Sequence, residues 1–197
     1  GNPDTLAAVK HYYGEVLQSS SDLQTSACCL ADAMPAHLIP LLKDIHPEIK
    51  DRFYGCGSPI PPAIEGATVL DLGCGTGRDV YLLSRLVGPT GRVIGLDMTE
   101  AQLAVGRRHQ AWHAERYGHD NVDFRHGYIE DLASAGIADA SIDVVISNCV
   151  LNLSPDKPAL FRELMRVLKP GGRFIFAGEP STIGDFYARW MSRATWW

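Results

Sequence analysis

From Ala67 onward, short apolar runs alternate with stretches in which apolar residues recur every three or four positions. The runs TVLDLG, RVIGLDM, VDFRHG, IDVVISN and RFIFAGE have the length and β-branched character of strands. Between them, RDVYLLSRLVG, TEAQLAVGRRHQAWHAERYG and KPALFRELMRVLKPGG carry helical periodicity. Thr99 followed by Gln102 predicts a capping box for one unbroken helix beginning at Glu100. Lys169-Pro170-Gly171-Gly172 is expected to stop the last helix before the strand RFIFAGE. Strands alternating with helices through short loops predict βαβ units and a parallel sheet buried on both faces.

Before Ala67 the texture differs. Leu6, Val9, Tyr13 and Val16 predict an amphipathic helix over 4–18, and the Ser-rich stretch 18–34 reads as a loop carrying Cys28 and Cys29. Two short helices are expected at 36–45 and 47–53, followed by the Gly- and Pro-rich YGCGSPIPP, which holds Cys56. The organisation expected is an α/β fold. Residues 67–197 form a Rossmann-like doubly wound, mostly parallel sheet with helices on both faces, and residues 1–66 form an N-terminal helical arm with cysteine-bearing loops.

Composition changes little in this picture. Of the 197 residues 46% are hydrophobic and 21% charged, as in ordinary globular proteins. The net charge of -5 argues against nucleic acid as a partner, because phosphate binding needs a concentrated basic footprint. No apolar run reaches the ~18 residues of a membrane span and no signal peptide opens the chain, so no membrane association is expected. Gly1-Asn2-Pro3 lacks an initiator Met and reads as a non-natural start. Five cysteines, an odd number without a secretory signal, predict reduced thiols and a cytoplasmic setting.

The chemistry concentrates in VLDLGCGTGRD, residues 69–79, which runs strand, glycine loop, helix. Gly73, Gly75 and Gly77 are spaced G-x-G-x-G, and Arg78 stands where a nicotinamide-type loop needs its third glycine. A pyrophosphate at that helix start is therefore disfavoured, and with it a nicotinamide oxidoreductase. Asp97 ends the second strand 20 residues beyond Gly77, where an acid accepts hydrogen bonds from ribose hydroxyls. Met98 is placed to lie on an adenine face, and Ile129 with Glu130 to flank the base. The plainer readings are a helix cap for Asp97 and a solvated loop acid for Glu130. His126 reads as structural, and Arg107-Arg108-His109 as a solvated face.

VLDLGCGTGRD, GLDMT, HGYIEDL and LKPGG, in this order over 67–178, resemble class I S-adenosylmethionine-dependent methyltransferases. The resemblance implies S-adenosylmethionine as cofactor, with S-adenosylhomocysteine as product. It places Asp71, Gly73, Gly75 and Gly77 around the methionine moiety, Asp97 on the ribose, Met98, Ile129 and Glu130 around adenine, and Asn148 near the tip of the fourth strand.

Over residues 10–177, DLQTSACC, RFYGCG, DLGCGTGRDVYLLSRLVG, GLDMT and SNCVLNLSPDK further resemble arsenite methyltransferases. That likeness implies trivalent arsenic held by the thiolates of Cys28, Cys56 and Cys149. It implies too that Tyr54 closes over the cofactor and that a thiol reductant is needed. Soft thiolates suit a soft centre, although free cysteines also often simply pack. Cys29 either substitutes for Cys28 or is an inert neighbour, and Cys74 reads as packing. The tail after RFIFAGEP departs from the arsenite pattern, lacking its aspartate and a later cysteine, and the final sheet strands are absent. A domain truncated at its C-terminus is therefore expected. Two other readings stand beside this one: a methyltransferase for a small organic acceptor with structural cysteines, and a non-catalytic metalloid-binding module.

Overall fold

The computed structural model describes residues 34–55 and 57–177, and within the arm Ala7, Ala8 and Lys10–Tyr12. Ala7, Ala8, Lys10 and His11 are helical; the rest of the helix expected over 4–18 lies outside the described residues, as does the loop with Cys28 and Cys29. A 3-10 turn, Ile39–Asp44, and a short helix α1, Pro47–Asp51, take the place of the two helices expected next.

Five strands follow: β1 (Thr68–Leu72), β2 (Arg92–Asp97), β3 (Val122–His126), β4 (Ile142–Asn148) and β5 (Leu168–Ala177). They pair in the order β3-β2-β1-β4-β5, and every pairing is parallel. Helices α2 (Arg78–Val87), α3 (Glu100–Arg108), α4 (Gln110–Tyr117) and α5 (Lys157–Val167) lie in the crossovers. Strand neighbours diverge after β1, since β2 lies on one side of it and β4 on the other. In open α/β sheets that switch point opens the ligand crevice at the carboxyl ends of the strands.

The alternation along β1 splits the core. Val69 joins Val93, Val80, Tyr81, Leu103 and Phe124 on one face, where arm residues Leu38, Ile45 and Ile49 also pack. Leu70 and Leu72 join Ile94, Leu96, Leu160, Phe161 and Leu164 on the other. The α5 stripe Leu160, Phe161, Leu164, Val167 is buried throughout. Its start is fixed by the Asp156 carboxylate accepting from the Ala159 N–H at 3.0 Å, with a proline in the first turn.

Three local expectations are corrected. The helix expected to run unbroken from Glu100 divides at His109 into α3 and α4. The buried Tyr81 hydroxyl donates to the Gly106 carbonyl at 2.7 Å, and the N–H that this carbonyl accepts is that of His109, three residues on, at 3.2 Å. Thr99 makes no side-chain cap; its hydroxyl and its N–H serve Asp97 instead. β5 begins at Leu168, directly after α5, and the Pro-Gly-Gly segment forms a bulge between the Ile142↔Leu168 and Val144↔Arg173 pairs, with Gly171 at φ 77°.

His113 shows how burial enters the pH response. Its ring is almost wholly buried and stacked on Tyr81 at 3.6 Å. Desolvation lowers its pKa to about 4, from 6.5 for an exposed histidine. The folded state resists protonation that the unfolded state accepts, so this contribution is complete above pH 6.5 and is lost as pH falls toward 4. At ~1.4 kcal/mol per pH unit, discounted for solvent screening, about 2 kcal/mol disappears across that window. Denaturant unfolding from pH 7 to 4 should show this extra loss in the parent and not in His113→Asn; identical slopes would count against it.

Candidate methyl-donor and acceptor site

A cavity of about 390 Å³ opens over the carboxyl ends of β1, β2 and β4, within the range of small-molecule sites. Its floor is the glycine loop between β1 and α2. Gly73 and Gly75 adopt φ of 72° and 56°, conformations that favour glycine. A Cβ at Gly73 would sit 2.4 Å from Val150, whereas at Gly75 the space is open. Gly73→Ala therefore combines backbone strain with a clash in the cavity wall. Cofactor affinity should fall by at least ~10-fold, with a stability loss of about 1–3 kcal/mol; calorimetry and thermal melts of the variant read both. Gly77 does not line the cavity. It caps α2 at φ 95°, where a Cβ would meet Phe124 at 2.6 Å.

Asp97 reaches in from the end of β2. One carboxylate oxygen accepts from the Gly75 N–H at 2.9 Å and the other from the Thr99 N–H at 2.8 Å. The capping reading of Asp97 thus holds in part, and the same carboxylate also lines the cavity. Asp71, on β1, is buried beside Asp79 and Asp97. Burial foremost and these two neighbours push its carboxyl well above the usual range, with only the Arg78 guanidinium opposing them. Besides the Asp71 carboxyl, held toward its protonated form, the cavity is lined by Asp79, Asp97 and Glu130 against Arg52 and Arg78, an acidic excess that suits a cationic ligand. That fits a molecule with an ammonium and a sulfonium but no phosphate.

Met98, Ile129 and Glu130 line the adjoining end. Glu130 accepts a short hydrogen bond from the Ser154 hydroxyl, so it is not a solvated loop acid. His126 lies outside the cavity lining and bonds the Met98 carbonyl at 3.0 Å, as its structural reading expected.

The arm closes one side. Tyr54 lines the cavity with Phe53 and Gly55. Arg78 lies 3.2 Å over the Phe53 ring and donates to the Gly57 carbonyl at 2.9 Å. Asn148, at the tip of β4, donates to the same carbonyl at 2.7 Å and to Asp79 at 3.1 Å. Arg78 also bonds Asp79 at 2.8 Å. Arg78, Asp79 and Asn148 thus fasten the arm to the strand ends. Asp79 and Phe53 went unremarked in the sequence; the Arg-Asp pair directly after the glycine loop was the available signal.

Cys149 follows β4 and lines the cavity at φ 59°, with its N–H donating to the Ala177 carbonyl at 2.8 Å. A left-handed non-glycine residue is the kind of strain that collects at functional sites. Cys149 is disulfide-bonded, its partner lying outside the described residues, which corrects the expectation of reduced thiols throughout. Cys74 is a free thiol. Burial, and then the Asp97 and Asp71 carboxylates, push it well above the ordinary range, so it stays protonated. Cys28 and Cys56 lie outside the described residues. Arg107 and Arg108 are exposed, as a solvated face requires, although Arg108 also bonds Glu48 of α1; His109 departs from that reading, being largely covered and bonded to Glu48.

A methyltransferase domain model matches residues 64–196. The arsenite methyltransferase of Aquipseudomonas alcaligenes is 59% identical over 170 residues, covering 86% of this chain and 49% of that protein. The human arsenite methyltransferase is 49% identical over 172 residues, again covering 86% of this chain and 46% of the relative. Among solved structures, the arsenic(III) S-adenosylmethionine methyltransferase of Chlamydomonas reinhardtii superposes with a TM-score of 0.71. That match has 44% identity and covers 78% of this chain and 55% of the other. The chain spans about half the length of the curated relatives it matches. No described helix is long and apolar enough to cross a membrane. With the parallel sheet, the glycine loop and the matched domain together, the chain belongs to the S-adenosylmethionine-dependent methyltransferase family, and its likeness to the arsenite methyltransferases runs along most of its length.

Proposed function

We propose that this chain transfers a methyl group from S-adenosylmethionine to trivalent arsenic held by the thiolates of Cys28, Cys56 and Cys149, in a reducing, cytoplasmic setting. The observation carrying this reading is the position of Cys149. It stands at the tip of β4 and lines the same cavity as the glycine loop, Asp71 and Asp97. The similarity to named arsenite methyltransferases supports the choice of acceptor.

S-adenosylmethionine supplies an electrophilic methyl on a sulfonium. Asp97 takes the ribose hydroxyls on the oxygen lone pairs left by Gly75 and Thr99. Asp71 faces the positive methionine end, Met98, Ile129 and Glu130 flank the adenine, and Tyr54 with Asn148 closes the arm side. The cysteines orient arsenic so that its lone pair lies in line with the methyl carbon. The new As–C bond forms as the C–S bond breaks, and the bonding pair returns to sulfur, leaving S-adenosylhomocysteine. No proton leaves the nucleophile, so no general base is required, and the contribution of the protein is proximity and orientation. Arsenic gains formal charge by donating its pair. Two thiolates that leave as a disulfide return two electrons to arsenic and restore the trivalent state, a thiolate of the reductant takes the position and neutralises the charge left on arsenic, and further reductant reopens the disulfide. The disulfide at Cys149 is compatible with that cycle.

Arsenite protection against alkylation tests the acceptor. After full reduction, arsenite should shield Cys28, Cys56 and Cys149 from iodoacetamide, read by peptide mass spectrometry, while Cys74 reacts equally slowly with or without arsenite. Unprotected thiols would leave a small organic acceptor, with structural cysteines, as the reading to pursue.

A further inference from the structure

His46 just before α1, Glu48 in its first turn and His109 at the α3–α4 junction meet outside the cavity. One imidazole nitrogen from each histidine and a carboxylate oxygen all lie within 4.8 Å of one another. The two rings stack at 3.6 Å, and His109 Nε2 is 2.7 Å from Glu48 Oε2. The backbones carrying the rings are held by a third, buried imidazole. His113 Nδ1 donates to the His109 carbonyl at 2.8 Å, and its Nε2 accepts from the His46 N–H at 3.2 Å. Those two bonds fix the tautomer of His113 and set the spacing between the arm and the helix junction.

The carboxylate is oriented as well. Arg108 and Arg52 approach Glu48 Oε1 at 3.1 and 3.8 Å, and Oε2 lies 2.7 Å from His109 Nε2 with a longer 3.4 Å bond from Arg108. Such outer bonds hold a ligating carboxylate in place. Trp112 sets its edge against His46 at 5.1 Å and walls the group on one side.

We propose that His46, Glu48 and His109 form a binding site for a divalent ion of the zinc class, fastening the arm to the α3–α4 junction. Two imidazoles and one carboxylate match zinc's preference, with water as fourth ligand, and are too few oxygens for calcium or magnesium. Tetrahedral ligand atoms around zinc sit about 3.3 Å apart, so the ion displaces the proton shared by His109 and Glu48 with a small opening of that pair. Nothing in the methyl-transfer reading uses these residues. They nonetheless connect to the cofactor loop, because the Ile49 carbonyl of α1 accepts from the Thr76 hydroxyl at 3.3 Å.

Zinc itself is the probe, titrated calorimetrically into protein with Cys28, Cys29, Cys56 and Cys149 all replaced by serine, so that soft thiolates do not compete. One ion per chain should bind. Affinity should fall at least ~10-fold in His109→Gln and in Glu48→Gln made on that background, and be kept in His37→Gln, an exposed histidine of the same arm. Zinc should raise the melting temperature of the parent and not of Glu48→Gln. Retained S-adenosylmethionine binding certifies that each variant is folded. Glu48→Gln, nearly isosteric, carries the test if His109→Gln loses it. Absence of zinc binding to the four-serine protein, or undiminished affinity in Glu48→Gln, would overturn the proposal.

Discussion

Cys149→Ser should abolish methyl transfer to arsenite while leaving S-adenosylmethionine affinity within about twofold of the parent. Serine keeps the volume and the left-handed backbone at this position, so the cavity wall, the Ala177 hydrogen bond and the packing of Val150 against Gly73 stay as they are. What disappears is the soft ligand. A hydroxyl stays protonated near neutral pH and binds arsenic weakly, so the acceptor loses its orientation toward the methyl group. Misplacement by 1 Å alone costs ~100-fold in rate, and the expected loss in steady-state turnover is at least that. Both proteins are compared fully reduced, so that the disulfide of Cys149 does not enter the difference. Equal losses of turnover and cofactor affinity would make Cys149 a packing residue.

Asp97→Ala should have the opposite signature, with cofactor binding lost first. The carboxylate organises the loop before any ligand arrives, since each oxygen holds one backbone N–H. Alanine orphans both donors and, on the proposed reading, removes the partner of the ribose hydroxyls. Hydrogen bonds to a charged group are worth about 1.5–3 kcal/mol each, so the dissociation constant should rise ~100-fold or more. Unfolding free energy should fall by about 2 kcal/mol. Asp97→Asn keeps one acceptor oxygen and should fall between parent and alanine. Calorimetry with S-adenosylmethionine and denaturant melts measure both effects. An alanine variant that binds normally would remove Asp97 from the cofactor site.

Much of this arrangement was legible in the residues because strand ends carry it. β1, β2 and β4 read as strands from their apolar runs. Asp71, Asp97, Asn148 and Cys149 therefore fell at or beside carboxyl ends, which parallel pairing gathers at one edge. The illegible parts depend on partners distant in sequence. Nothing near His109 announces a helix break, since the competing hydroxyl comes from Tyr81 on α2. Gly77 looks like any third loop glycine, and nothing near it in sequence announces the Phe124 ring that a Cβ there would meet. His109 looks solvated until α1 brings Glu48 against it across 61 residues. Asp79 looks like an ordinary first-turn acid, and Asn148, 69 residues on, gives it a second function.

The most direct measurement is calorimetric binding of S-adenosylmethionine and arsenite, separately, to the fully reduced protein, beside a Cys28/Cys56/Cys149→Ser control. The account predicts that both ligands bind the parent and that the control loses arsenite alone. S-adenosylmethionine bound without arsenite in the parent, or arsenite bound equally by the control, would contradict it.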